Sequence, residues 1–426
     1  MLTSEIKSNI LTGALDCTFK ELYGEEKVLA ARERYASAID EFIKLYGESE
    51  ASVFSVSGRS ELSGNHTDHN RGKVIAASID LDVIAVASKA SDGIVRLKSE
   101  GFPADTVDLN TYTSPVEAKF GSSESIIAGM AAHLVKVGYK VGGFNAYTTS
   151  SVLKGSGLSS SAAFEDMIGT IISHLYNDGA VDNVLIAKLA QKAENEFFGK
   201  PCGLMDQVAC AAGGIVSIDF KDSAEPIIER LDFDMSAEGY NLCIVNTGGN
   251  HADLTDDYAA VPYEMKSVAA HFGKEVLREI SREELIAAAP VLREKVGDRA
   301  ILRALHFLGE NERVVDQVAA LKRGDVESFL SGVIASGRSS FCYLQNVYTT
   351  KNVSEQGLSL ALCLAENYLS GKKAAHRVHG GGFAGTIQAF MPTVEVEGFR
   401  SLMDSVFGEG ACIVLRIRNL GAMKLI

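Results

Sequence analysis

Four short segments of this chain carry side chains suited to chemistry. The first is Gly155-Ser156-Gly157-Leu158-Ser159-Ser160-Ser161-Ala162-Ala163, between a strand-like run and a helix-like run. Small residues let the backbone come close to a ligand. Successive N–H groups at a helix start, aligned with the helix dipole, make a nest for an anion. Serine hydroxyls can add contacts to phosphate or Mg²⁺. The run fits neither G-x-x-x-x-G-K-[ST] nor G-x-G-x-x-G, so both of those nucleotide folds lose support. Taken alone it is better read as a serine-capped turn.

The second segment is Gly58-Arg59-Ser60-Glu61-Leu62-Ser63-Gly64-Asn65-His66-Thr67-Asp68-His69-Asn70. His66, Asp68 and His69 invite a metal, yet a tight cluster on one loop does not supply a closed tetrahedral site. A polyhydroxylated ligand suits it better, since Asp accepts from hydroxyls while His and Asn each donate and accept. An ordinary polar loop with Asx-turns is the plain alternative. The third segment runs from Glu194 through Gly199-Lys200-Pro201-Cys202-Gly203-Leu204-Met205-Asp206-Gln207. Glu194 lies on the apolar face of a helix and Asp206 among residues of buried type. Such carboxylates need a counter-charge; Arg59 and Mg²⁺ are candidates, and a structural ion pair is the bland reading. The fourth is His379-Gly380-Gly381-Gly382-Phe383-Ala384-Gly385. Its small residues suit close backbone approach to a ligand, or merely to a neighbouring segment.

The elements that position these loops follow from periodicity. Glu25 to Tyr46, Ser125 to Val137 and Ser161 to Tyr176 read as helices, and Asp182 to Phe198 reads as one helix N-capped by Asp182 and ended by Gly199 and Pro201. Val53 to Ser57 reads as a strand that meets a turn at Gly58. Val74 to Ser88 reads as one or two strands, and Phe144 to Ser150, Ile215 to Phe220, Asn241 to Thr247, Thr386 to Phe390 and Ala411 to Ile417 as further strands. Residues 256 to 330 read as mostly helical. Strands and helices mix without βαβ alternation, so the class is α+β. The expected boundary follows Gly213-Gly214, giving units 1–214 and 215–426.

The 426 residues are ample for two such units. A net charge of −14 excludes a general binder of nucleic acid or of anionic lipid, which needs clustered positive charge. Seven scattered cysteines without C-x-x-C, no signal-like N-terminus and no long apolar run predict a cytoplasmic protein with no membrane partner.

In order, GRSELSGNHTDHNRG, GSGLSSSA, AENEFFGKPCGLMDQ, ALHFLGE and HGGGFAG resemble the motifs of the GHMP kinase superfamily, and specifically its galactokinase branch. The corresponding family patterns read G-R-x-N-L-I-G-E-H-T-D-Y-N-x-G, G-G-G-L-S-S-S-A, AEHxFxGxPCGIMDQ, A-x-H-x-x-x-E and T-G-G-G-F-G-G. Each loop alone is weak; the ordered set, covering nearly the whole chain, is specific. The resemblance implies two α+β domains with the site in the cleft between them. It implies an ATP- and Mg²⁺-dependent transfer of phosphate to the anomeric hydroxyl of a sugar, galactose first. It implies Arg59 and Asp206 as the catalytic pair. Asn65, His66, Asp68, Gly203 and Tyr258 become sugar contacts. Gly155, Ser156, Gly157, Leu158, Ser159, Ser160 and Ser161 become the ATP phosphate cradle, and Ser161 and Glu194 the Mg²⁺ ligands. The family lines its adenine pocket near Lys89–Arg96. Oligomeric state stays open, with a slight preference for a monomer.

Departures include Leu153 for the Pro before the phosphate loop, His379 for the Thr before the third motif and no Arg-rich helix after Tyr258, but the ones that bear on the sugar fall on the first motif. Glu61 stands for Asn, Ser63 for Ile, Asn65 for the Glu that would accept from a sugar hydroxyl, and His69 for Tyr. They leave the choice of sugar open. Other readings are a non-catalytic sugar and ATP sensor, a GHMP kinase for another small alcohol such as mevalonate or homoserine, and a metal hydrolase on His66, His69, His376 and His379.

Overall fold

The computed structural model describes residues 1–152, 157–249 and 254–426. Twelve strands form two sheets among these residues: β1 (Ser52–Ser63), β2 (Lys73–Lys89), β3 (Ile94–Ser99), β4 (Ala104–Asp108), β5 (Phe144–Ser150), β6 (Ile215–Asp219), β7 (Ile227–Leu231), β8 (Tyr240–Asn246), β9 (Ala375–Val378), β10 (Thr386–Pro392), β11 (Cys412–Leu415) and β12 (Met423–Lys424). The larger sheet has the order β12-β1-β2-β5-β3-β4, with β6 attached to β2 and β7 to β6; the smaller has the order β11-β8-β10-β9. Only β3 with β5 is parallel.

Alternation along the central strands explains the layers. Val74, Ala76, Val83, Ala85 and Ala87 of β2 pack under helices Ser123–Lys136, Ser160–Tyr176, Asn183–Ala193 and Met205–Ala212. Ile84 and Val86 point the other way, under the N-terminal helices. Ile75, Ala77 and Ile79 join Leu242, Ile244 and Phe390 of the smaller sheet and Phe329 and Val333 of helix Val326–Ser339. The two sheets therefore share a core.

Two expectations change, and one open choice is decided. First, Gly58 makes no turn: β1 runs through it with a register shift between Ser57 and Arg59. A Cβ there would lie 2.8 Å from the Leu158 carbonyl oxygen, so the close approach needs glycine. The bulge also re-aims the strand. Phe54 and Val56 face the helix layer before it; after it Leu62 faces the opposite core, and Arg59 is the residue turned to the helices. Second, β2 is one long strand. Third, the division after Gly214 cuts between paired strands, because β6 extends β2 in the larger sheet and β7 follows it. The sheets divide between Leu231 and Tyr240, and β12 returns to β1.

Candidate active site

Arg59, brought round by the bulge, meets Asp206 in the first turn of helix Met205–Ala212. Its Nε and Nη2 donate to Asp206 Oδ1 at 2.8 and 2.7 Å. Nη1 donates to the Gly157 carbonyl, and the Arg59 backbone N–H to the Leu158 carbonyl at 3.0 Å. Burial alone would lower the guanidinium, but the Asp206 charge outweighs it and the group stays above its ordinary range. Ser159, in a left-handed conformation at φ +57°, donates its hydroxyl to the other carboxylate oxygen, Oδ2, at 2.5 Å. Asp206 keeps about a third of its side chain open to solvent, at 35%. Arg59 holds one carboxylate oxygen and Ser159 the other, and part of the group stays open.

Of the expected phosphate cradle, Gly155 and Ser156 lie outside the described residues. Gly157 has φ +71°, a conformation that favours glycine. The Leu158 side chain is buried in the shared core, so its contribution is backbone and packing. Ser159 turns to Asp206 instead of outward. Ser160 and Ser161, at the start of helix Ser160–Tyr176, line a cavity of about 580 Å³. Glu194, Glu165, Phe102, Asp105 and Phe164 line it too. Residues 99–105 form one of its walls.

Glu194 shows why its helix was legible and its end was not. The α-helix stops at Ala193, and a π turn, Glu194–Phe198, follows before Gly199 at φ +80°. Such turns often sit at functional sites because they re-aim a side chain. Glu194 is buried, its Oε1 paired with Lys200 at 2.8 Å and its Oε2 accepting from Gln207 at 3.0 Å. The same Gln207 nitrogen donates to Glu165 Oε2 at 3.0 Å. Burial, and then the Glu194 charge, push Glu165 up to about 8. With Glu165 raised, Glu194 and a serine hydroxyl at the same cavity supply hard oxygen donors. No side-chain cluster of three or more His, Cys, Asp or Glu suited to a metal occurs among the described residues. Mg²⁺ does not require one when phosphate completes its shell, so Ser161 and Glu194 fit that ion.

The first-motif loop packs on the glycine loop. Asn65 donates to the Gly380 carbonyl at 2.7 Å, His66 Nε2 meets that of Gly381 at 2.8 Å, and Tyr258 donates to that of Gly382 at 2.8 Å. Gly381 must lack a side chain, since a Cβ would lie 2.6 Å from the Tyr258 ring. Asp68 lies against Gly203, where a Cβ would be 2.8 Å from Oδ2. Burial, then the neighbouring His69, hold His66 down at about 4, so it is neutral near pH 7. The role expected for Asn65 as a sugar contact does not match its surroundings: it is 0% exposed and its side chain is spent on protein partners. The four histidines of the hydrolase reading are not gathered for a metal. His379 is buried with its ring nitrogens on Ser60 and Thr386.

Sequence reasoning gave no role to several residues that shape this site. His306 bonds the Asn65 carbonyl at 2.9 Å, and Glu310 accepts from the Gly64 N–H at 3.2 Å, so ALHFLGE clamps the first loop from behind. The charges of His306, Arg313 and Arg377 overcome burial and hold Glu310 at about 2. Gln207 stood in a quoted motif, but its bridge depends on a helix the sequence does not place.

Comparison with known proteins agrees with this geometry. The model for the GHMP kinases N-terminal domain matches residues 125–214, and the galactokinase galactose-binding signature matches residues 40–89. A galactokinase of Streptomyces coelicolor is 30% identical, over 92% of this chain and 100% of that protein. One of Bos taurus is 31% identical, over 83% and 87%. The crystal structure of Lactococcus lactis galactokinase complexed with galactose matches with a TM-score of 0.75 at 25% identity, over 92% of this chain and 99% of that one. The mevalonate kinase of Methanococcus jannaschii, at 14% identity and a TM-score of 0.61, shares the fold over 87% of this chain and 99% of its own. With its Arg59–Asp206 pair beside a serine-lined cavity, the chain belongs to the galactokinase family of GHMP kinases.

Proposed function

We propose that the chain is a sugar-1-kinase that moves the γ-phosphoryl group of ATP onto the anomeric hydroxyl of galactose or a close relative. The observation that carries this reading is the Arg59–Asp206–Ser159 constellation, whose Ser159 leads directly into the serines that line the cavity. The cavity suits the nucleotide: apolar walls from Phe102 and Phe164 for a base, and the helix start at Ser160 for phosphates. The polar loops at 64–69 and 380–382 suit a hydroxylated substrate.

In this scheme the sugar oxygen forms a bond to the γ-phosphorus while the bond from that phosphorus to the β–γ bridging oxygen breaks, and ADP leaves. The hydroxyl proton goes to the open part of Asp206. Arg59 orients Asp206 through its two bonds to Oδ1 and offsets charge on the transferring group. Phosphoryl transfer asks for little more than such positioning and charge stabilisation. Neutral His66 fits an uncharged sugar, and Asp68 adds an acceptor. Ser161 and Glu194 would hold Mg²⁺, which supplies neutralisation of phosphate charge. Seven unpaired cysteines, and no helix among the described residues long and apolar enough to cross a membrane, support a cytoplasmic site of action.

The test is ADP release from MgATP with galactose, galactosamine, N-acetylgalactosamine, fucose, arabinose, glucose and mevalonate. Turnover with a hexose is expected. Sugar-dependent ATP binding without turnover would instead identify a sensor, and turnover with mevalonate alone would place the substrate outside the sugars. A second measurement concerns the metal. Glu194→Gln is expected to raise the Mg²⁺ concentration for half-maximal rate by about tenfold or more, the scale of a lost coordination partner. An unchanged Mg²⁺ dependence would remove Glu194 from the metal site.

A further inference from the structure

Positions 61 and 65 are exchanged relative to the signature this chain resembles: Glu stands where the signature has Asn, and Asn where it has Glu. In the fold these two side chains touch, Asn65 Nδ2 donating to Glu61 Oε1 at 3.2 Å. Glu61 also pairs with Arg377 at 2.6 Å, both side chains being buried. Asn65 has no hydrogen-bonding capacity left. Its amide nitrogen serves Glu61 and the Gly380 carbonyl, and its carbonyl oxygen accepts from Ser340 at 3.2 Å and Asn346 at 2.9 Å. A carboxylate at 65 could make neither donor contact and would set a second buried negative charge beside Glu61. An amide at 61 alone would strip Arg377 of its counter-charge. Changing both keeps one carboxylate, one amide and one guanidinium in the same space.

We propose that Glu61 and Asn65 form one compensated positioning pair that clasps the glycine loop 380–382 to the first-motif loop, so that reversing either position alone disrupts it, while reversing both recovers the charge balance with Arg377 though not the Asn65 bond to Gly380. The pair acts through His66, which follows Asn65 and rests on the next glycine carbonyl, so its loss moves a substrate-facing ring. The kinetic half of this inference rests on the sugar-kinase reading; the stability half does not.

The experiment compares the wild type, Asn65→Glu, Glu61→Asn and the double variant, as full chains, by melting temperature and by kcat and sugar KM with MgATP. Each single change is expected to lower the melting temperature and raise sugar KM by about tenfold or more. The double variant is expected to recover at least about tenfold of the kcat/KM lost in Asn65→Glu, a coupling typical of touching residues. KM separates positioning from simple loss of folded enzyme, since it does not depend on how much protein is active. If a single variant fails to fold, the double must still fold. Losses that add in the double variant, or an Asn65→Glu enzyme with unchanged sugar KM, would overturn the proposal. A wild type that turns over no sugar defeats the kinase reading alone, and the melting temperatures then decide the pair.

Discussion

Asp206→Asn gives a folded protein whose kcat with its sugar falls by about a thousandfold, within the range for loss of a positioned acid–base group. The substitution keeps size and shape at a side chain that is one-third exposed, so the fold is kept, but buried Arg59 loses its counter-charge and the melting temperature is expected to fall. What changes is which bonds the group can accept. Both Arg59 donors now end on Oδ1 and Ser159 donates to Oδ2. An amide can keep Arg59 on its oxygen and donate its nitrogen to the Ser159 hydroxyl, but it brings no charge to Arg59, and its nitrogen cannot take a proton from a sugar hydroxyl. Sugar KM is expected to move by less than about threefold, because ground-state binding rests on the loops and not on this group. Steady-state kinetics over a range of sugar and ATP concentrations measure both numbers. A variant within about tenfold of wild-type kcat would show that Asp206 only borders the reaction.

The second large effect is a gain. Asp166 of helix Ser160–Tyr176 is fully buried, and neither carboxyl oxygen has a hydrogen-bond partner among the described residues. Burial first, then the carboxylates of Glu165 and Asp206, push it well above the ordinary carboxyl range. A raised folded-state value means that the folded protein holds this proton more tightly than the unfolded chain does. Its cost is therefore least at low pH, and it grows as pH rises through the unfolded carboxyl value of about 3.9 toward the folded one. Asp166→Val, similar in volume, is expected to stabilise the fold by about 2 kcal/mol at pH 7.5, the scale of an unsatisfied buried polar group. The gain should shrink at pH 4 to 5. Urea unfolding at the two pH values measures it. A loss of stability at pH 7.5 would mean that Asp166 has a buried partner such as a water molecule.

These cases show where the residues spoke and where they could not. Arg59 and Asp206 are far apart in sequence, but both stand in motifs whose chemistry requires an opposite charge, and their side chains do meet. Helix Asn183–Ala193 was legible because Asp182 caps it through Val184 and Leu185 and its apolar positions recur at helical spacing. Gly58 was not, since a glycine after an alternating run signals a turn locally, and only the Leu158 carbonyl across the gap makes it a bulge. Asn65 was misread for the same reason. Its place in a motif predicts a ligand contact, whereas its four partners come from Glu61, Ser340, Asn346 and Gly380, which no local pattern brings together. Likewise, membership of β6 in the larger sheet depends on pairing with β2, not on anything within residues 215–219.

The return of β12 to β1 has a consequence for biogenesis. Phe54 pairs with Lys424, and the Val53 N–H with the Ile426 carbonyl. A ribosome thus releases β1 long before it makes the strand that covers this edge. Until then β1 presents unpaired backbone on one side, an invitation to pair with another chain. Contacts of such long sequence separation also form slowly. The nascent protein therefore has a window, closed only once β12 has emerged, in which holding chaperones or low expression temperature should decide between folded enzyme and aggregate.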